Sequence, residues 1–233
     1  MSLSKGLVCL ALMAGLCGTA HANLKLSRFF VEAEQNARPQ EVFVSNEGNE
    51  TLYVKVEVEE VIDPQAEAPE TRTGLTPEQL GILVSPQRLV INPGEDKRIR
   101  VVTLNAPEED RFFKVTVTPV VGDIESNTAI GVKLMIAYGL WVFARPEGAK
   151  PDIVAEVQDR DLILENTGRT HGEVRSIEYC PKVRTPDQGC STLDGFRMML
   201  GKTYTRSFDG PGDVTVSSVF KGEITENTYA ITD

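Results

Sequence analysis

The chain is poor in the residues that carry out covalent chemistry. It holds two histidines and four cysteines in 233 residues. One histidine, His21, and two cysteines, Cys9 and Cys17, fall within the first 22 residues. That stretch has a positive start at Lys5, the short apolar run GLVCLALMAGLCG and the small-x-small ending Ala20-His21-Ala22. These are the marks of an export signal, so the mature chain is expected to begin at Asn23. A lipid-accepting cysteine needs a small residue before it, whereas Cys17 follows Leu16.

What is missing from the rest excludes several classes. A Ser-His-Asp or Cys-His centre would have to use His171, which lies in the turn-like NTGRTHGEV. The plain reading is a loop histidine, solvated or hydrogen-bonded. Zinc needs three or four soft ligands, and too few remain. There is no Gly-x-Ser-x-Gly elbow and no Gly-x-x-x-x-Gly-Lys phosphate loop. Carboxylates abound, but Glu57, Glu59 and Glu60 read as a strand rim and Glu108, Glu109 and Asp110 as a turn. Such groups are solvated charges rather than an acid/base pair. Positive charge is also short: 24 Lys and Arg stand against 34 Asp and Glu, a net charge of -10. That disfavours nucleic acid, whose phosphates need a basic surface. Past the leader no stretch approaches the ~18 apolar residues of a membrane span, so stable membrane insertion is not expected. No cofactor, metal or enzymatic activity is expected either. An exported chain without a reactive centre reads as a binding protein.

What is present is strand. EVFVSN (41–46), TLYVKVEVEEV (51–61), RLVI (88–91), KRIRVVTL (97–104) and RFFKVTVTPVV (111–121) alternate apolar and polar residues. NEGNE, NPGED, NAPEED and VGDIESN supply turn residues between or after them. One short helix is predicted at Thr76-Pro77-Glu78-Gln79, with Thr as N-cap and Pro at the first position. The stretch IGVKLMIAYGLWVFARP (130–146) sets Ile130, Val132, Leu134 and Ile136 on one face, with Tyr138 continuing the series. Phe112, Val115 and Val117 are assigned to a core, and Trp141 to the neighbourhood of a domain boundary. Arg145-Pro146-Glu147-Gly148-Ala149-Lys150-Pro151 then stops the strand and suits a semi-rigid linker. Beyond it DIVAEVQ, DLILEN, GEVRSIEYC, RMML and DVTVSSVF resume the rhythm. The expected class is all-β, with two immunoglobulin-like sandwiches: residues 23–146, a linker at 147–151, and 152–233. No internal repeat is visible. Cys180 and Cys190 are an even pair in an oxidising compartment, so a disulfide is expected, closing a loop of about ten residues worth roughly 2–3 kcal/mol. A redox pair is the alternative, but the spacing is far from Cys-x-x-Cys.

The order of motifs in the first block resembles domain one of the periplasmic pilus chaperones, the PapD-like family. LKLSRFFVE (24–32) is similar to its first strand, with the basic residue at Arg28. EVFVSNEGNETLYVKVEV (41–58), LVSPQRLVINPGEDKRIRVV (83–102), EEDRFFKVTVTPV (108–120) and the strand ending Arg145-Pro146 follow in the family's order. The second block matches loosely, through LILENTGRTHGEV (162–174).

The resemblance implies a chaperone that binds pilus or fimbrial subunits and delivers them to an outer-membrane usher. Its partners would be subunits whose sandwich lacks a strand, completed by a strand lent from the chaperone. Ile130, Val132, Leu134 and Ile136 would be the lent face. Each buried side chain is worth about 1.5–3 kcal/mol, roughly 6–12 kcal/mol for four before ordering costs. From periodicity alone the same face would fill the chain's own core. The family grips the subunit's terminal carboxylate with basic residues, and Arg28 matches the first of these. The second is a departure: where relatives carry a Lys four residues before the strand-ending Arg, this chain has Trp141. Arg145, Arg88, Arg100 and Lys133 are the remaining candidates, with a domain bridge (Arg145) or solvent-facing strand charges (Arg88, Arg100) as plain alternatives. Self-association of the free protein through the lent strand is a further expectation. A rival reading makes the chain a structural pilus or surface protein. A subunit should carry a donor extension, whereas only Asn23 to Ser27 precede Arg28 in the expected mature chain.

Overall fold

The structure is a computed structural model that describes residues 23–34, 38–120, 135–183 and 189–232. Seventeen strands and one helical turn make up the described chain. The first ten strands build two sheets. One has the order β1 (Leu24–Leu26), β3 (Gln40–Asn46), β8 (Asp96–Thr103), β6 (Ile82–Ser85). The other runs β2 (Phe30–Ala33), β10 (Tyr138–Ala144), β9 (Arg111–Val120), β4 (Leu52–Ile62), β5 (Glu70–Arg72), with β7 (Arg88–Ile91) also on β4. Alternation on β4 and β9 aims Val54, Val56, Phe113, Val115 and Val117 inward, where they meet Val42, Val44, Ile99 and Val101 of the facing sheet. The helix α1 (Pro77–Leu80) starts as the sequence predicts. Gln79 N donates to Thr76 Oγ1, and Thr76 N donates to Gln79 Oε1.

The last seven strands form a second sandwich with its own core of Leu162, Leu164, Val174, Ile177, Met198, Val214 and Ile231. One sheet is β11 (Ile153–Gln158), β12 (Asp161–Asn166), β15 (Thr203–Ser207). The other is β14 (Ser191–Met198), β13 (Gly172–Pro181), β16 (Gly212–Phe220), β17 (Glu223–Ile231). Cys180 and Cys190 are disulfide-bonded, tying β13 to the approach to β14. Among the described residues no helix is long and apolar enough to cross a membrane.

One expectation is corrected here. The segment 24–32 is not one strand. β1 pairs antiparallel with β3, β2 pairs parallel with β10 in the opposite sheet, and the chain crosses between them at 27–29. Ser27 makes the crossing: its N–H donates to Phe43 O at 3.0 Å, and its Oγ accepts from Phe43 N at 2.9 Å. The inward phase shifts across it, from Leu24 and Leu26 to Val31 and Ala33, and the apolar but exposed Phe29 and Phe30 hide that shift in the sequence. The two sandwiches share one local feature. Asn46 and Asn166 end equivalent strands and make the same corner. Asn46 Nδ2 donates to Glu50 O and Ile91 O, and its Oδ1 accepts from Gly48 N. Asn166 Nδ2 donates to Thr170 O and Met198 O, and its Oδ1 accepts from Gly168 N and Asp152 N. Two short Asn-x-Gly matches are too few residues to make a repeat in the sequence.

The second corner also holds the chain that leads into its domain. Thr167 N donates to Asp152 O at 2.8 Å and Arg169 N to Lys150 O at 2.9 Å. Gly168 sits between them with no room for a side chain: a Cβ there would come within 2.6 Å of Lys150 O.

Candidate functional site

Two features meet at the boundary between the sandwiches: an unpaired strand edge and a buried charge cluster. The edge arises from the crossing at 27–29. Because β1 leaves for the other sheet, β2 covers β10 only from Trp141 to Ala144, with Trp141 N donating to Phe29 O at 2.8 Å. Tyr138, Gly139 and Leu140 pair with Val117, Thr116 and Val115 of β9 alone. By strand alternation the N–H and C=O of Gly139 face the same side as those of Trp141, towards open space among the described residues. Unpaired ladder groups of this kind invite another strand.

Apolar side chains surround that edge. Phe29 is 45% exposed and stands 6.2 Å from the Tyr138 ring, while Phe30 is 54% exposed. Ile136 keeps, by count, the phase of the buried Leu140 and Val142, yet is 45% exposed. Ile130, Val132, Leu134 and Lys133 lie outside the described residues. The strand begins at Tyr138, not earlier, in the described chain.

The basic candidates separate. Arg28 is exposed in the crossing and has no ion pair among the described residues. Counting back from the Trp141–Phe30 register, it comes level with Gly139. Arg88 lies on β7, beyond β9 and β4 from β10, and Arg100 lies in the opposite sheet, paired with Glu41 at 3.2 Å. Neither is brought to the edge. Arg145 is buried and already engaged, as described below. Sequence reasoning missed Lys114. It is the β9 neighbour of Trp141, and its stem lies along Gly139, where a Cβ would touch its Cε at 3.5 Å. Its ammonium is half-exposed and 3.3 Å from Glu59. Only the register of β9 against β10 reveals it: a Lys opposite Trp141 puts a cation on the same face.

The charge cluster joins the two sandwiches. Arg145 Nη2 donates to Glu32 Oε2 at 2.6 Å, and Arg197 Nη1 to Glu32 Oε1 at 2.8 Å. His171 is 1% exposed; its Nδ1 is 3.0 Å from Asp110 Oδ2 and its Nε2 3.3 Å from Glu32 Oε2. Thr170 Oγ1 donates to Asp110 Oδ1 at 2.6 Å and His171 N to Asp110 Oδ2 at 2.5 Å. Of the two readings of His171, the hydrogen-bonded one holds and the solvated one fails, because the second sandwich packs it against the first. The outer face of β9 and β10 forms the wall: Phe112 and Phe143 rings stand 5.9 and 5.0 Å from the imidazole. Phe112 therefore faces the boundary, and Phe113 takes the core place assigned to it. Trp141 lies beside Phe143, ring centroids 6.4 Å apart. The Arg197 guanidinium lies 4.3 Å over Phe143 and 5.4 Å over Phe30.

Burial alone raises the Glu32 carboxyl, but bonds and charge from His171 and Arg145 outweigh it and bring the pKa down to about 2. Burial likewise opposes the charged form of Asp110, and hydrogen bonds from His171 and Thr170 hold it below its ordinary value. For His171 burial works downward, and bonds to Asp110 and Glu32 raise it above 6.5 overall.

Two successive sandwiches are the two-domain immunoglobulin-like fold that this chain shares with solved fimbrial chaperones. The class 5 fimbrial chaperone CfaA superposes with a TM-score of 0.66 at 16% identity, over 91% of this chain and 100% of that one. A chain of a chaperone–tip adhesin complex from CFA/I fimbriae biogenesis gives 0.63 at 18% identity, over 90% and 98%. A chain of the Salmonella enterica complex of SafA pilin with the SafB chaperone gives 0.58 at 16% identity, over 91% and 98%. In sequence the chain is 22% identical over 163 residues to a CFA/I fimbrial subunit of Escherichia coli, covering 67% of this chain and 68% of that protein. No family model matches the chain.

Proposed function

We propose that the protein is a periplasmic chaperone for fimbrial subunits, acting by binding and not by catalysis. Residues 1–22 direct export and are removed near Ala22. The chain then lends the stretch through Ile130, Val132, Leu134 and Ile136 to a subunit that lacks a strand, and delivers it to an outer-membrane usher. The observation that carries this reading is the uncovered edge of β10 at Tyr138–Leu140, with exposed Ile136 leading into it. An incoming subunit strand gains ladder hydrogen bonds there, and its pockets receive the alternate side chains.

Arg28 and Lys114 grip the subunit's terminal carboxylate on either side of Gly139. Lys114 exchanges its partly exposed pairing with Glu59 for the guest. A hydrogen bond to a charged group contributes about 1.5–3 kcal/mol, so each anchor is worth roughly 10- to 100-fold in affinity.

Co-purification from periplasm with a candidate subunit tests this reading. Leu134→Glu with Ile136→Glu is expected to abolish recovery of the subunit, and Arg28→Ala or Lys114→Ala to reduce it at least tenfold. Unchanged recovery with the double Glu variant overturns the reading.

A further inference from the structure

We propose that His171 is a protonation-operated latch between the two sandwiches, closed when its ring is charged and slack when it is neutral. The imidazole belongs to the second sandwich, and both carboxylates that face its nitrogens belong to the first. Asp110 approaches Nδ1 from the turn before β9, and Glu32 approaches Nε2 from β2. Only the imidazolium offers a donor to both; the neutral ring has one donor and one acceptor.

Loss of the proton changes who bonds to whom. With Nδ1–H kept on Asp110, Nε2 turns its lone pair towards Glu32 Oε2 at 3.3 Å, an unfavourable pairing. The same lone pair accepts from Arg145 Nη2, 3.1 Å away at the end of β10. Arg145 Nη2 carries two N–H groups, so one stays on Glu32 while the other meets Nε2, and a neutral contact takes the place of an ion pair. Glu32 is then left with Arg197 of β14 as its donor from the second sandwich. Two further carboxylates flank the group: Glu34 lies 3.9 Å from Arg145 Nε and Glu173 3.8 Å from Arg197 Nη2. Neither bonds the imidazole. Phe112 and Phe143 wall the ring off, so water does not replace the lost bond.

Arg145 shows that the boundary is not held by a saturated network. Its Nε and Nη1 are buried without a hydrogen-bond partner, and its guanidinium rests 5.1 Å over the Phe220 ring. Lys221–Glu34 at 2.9 Å and Lys202–Asp63 at 3.0 Å also cross the boundary, but both pairs are exposed and each is worth little, so the buried charged contacts of His171 weigh more in fixing the angle between the sandwiches. A group whose folded pKa is raised stabilises fully below its unfolded value, and that contribution fades as pH rises through the folded value. The latch is therefore closed below the ordinary histidine value of 6.5 and opens as pH rises through the raised folded value. It concerns the boundary alone and holds whether or not the β10 edge receives a guest.

Spin labels at Val90→Cys and Ile224→Cys, one exposed site on each sandwich, report the distance distribution across the boundary. Titration between about pH 5.5 and about pH 9 brackets the ordinary histidine range. The distribution is expected to be narrow at the acid end and to broaden as pH rises. Its midpoint should coincide with that of the His171 ring proton resonance and lie above 6.5. His171→Gln is expected to be broad throughout. Asp110→Asn, which keeps the ring and its packing, is expected to move both midpoints down together, so the question is decided even where the Gln variant does not fold. A distribution that stays unchanged while the ring titrates overturns the latch. So does an Asp110→Asn variant in which the ring midpoint moves and the distance midpoint does not.

Discussion

Single side chains settle more here than their number suggests. Asn46 ties its own turn to Ile91, Asn166 ties its own turn to Met198 and Asp152, and both are buried. Replacement by Ala leaves buried carbonyls and N–H groups without partners, at about 1–3 kcal/mol for each group that water cannot reach. Asn166→Ala is expected to destabilise the second sandwich by about 2–4 kcal/mol and Asn46→Ala the first by a similar amount. Calorimetry of the two variants should show each lowering the melting of its own sandwich. Neither asparagine was legible as structural, because an Asn before a turn is so common. Arg28 was legible through its place in a family pattern. Lys114 was not, because its importance depends on which strand lies beside β9. His171 was legible only as a loop residue, since its partners at Asp110 and Glu32 are 61 and 139 positions away in sequence by their numbering.

At the scale of strands, alternation carried most of the reading. β7 and β12 match the expected bounds, and β3, β4, β8, β9, β11 and β16 come within about a residue at each end. β15 and β17 escaped because TYTRS and EITENTYAI are edge strands, largely exposed on both faces. With no side buried there is no two-residue rhythm to detect. β14 was seen only at its end, because its first residues are exposed and Gly195 interrupts the pattern. That glycine lies opposite the bulge between Val174 and Ser176 of β13. A Cβ at 195 would stand 2.5 Å from Val174 O, against backbone on a paired strand. Gly195→Ala is therefore expected to cost about 1–3 kcal/mol. The Tm of the second sandwich should fall by roughly 5 °C or more, at about 4–8 °C per kcal/mol for a domain of this size. An unchanged Tm would mean the bulge can shift to accept a methyl group.

For the molecule as a whole, carboxylates set the acid limit of the boundary. Glu32 and Asp110 have lowered folded values, so their contribution is present above their ordinary values of 4.5 and 3.8. It is lost as pH falls through the folded values, which for Glu32 is about 2. At about pH 5.5 the two sandwiches are expected to melt as one coupled transition, since both carboxylates are charged there. Towards pH 2 calorimetry should resolve two. Glu32→Gln is expected to give the two-transition trace already at about pH 5.5, because a neutral amide cannot pair with Arg145 and Arg197 as the carboxylate does. The close approach of Gly168 to Lys150 has a practical corollary. Residues 147–151 look like a spacer in the sequence, yet Lys150 at its end is clasped, together with Asp152, by the second module's own corner. A chimera that splices a foreign first module onto this second one must make its junction ahead of residue 150 and carry Lys150, Pro151 and Asp152 with the recipient. A graft placed after them would strip the corner of two main-chain partners and yield a tail that melts before the rest.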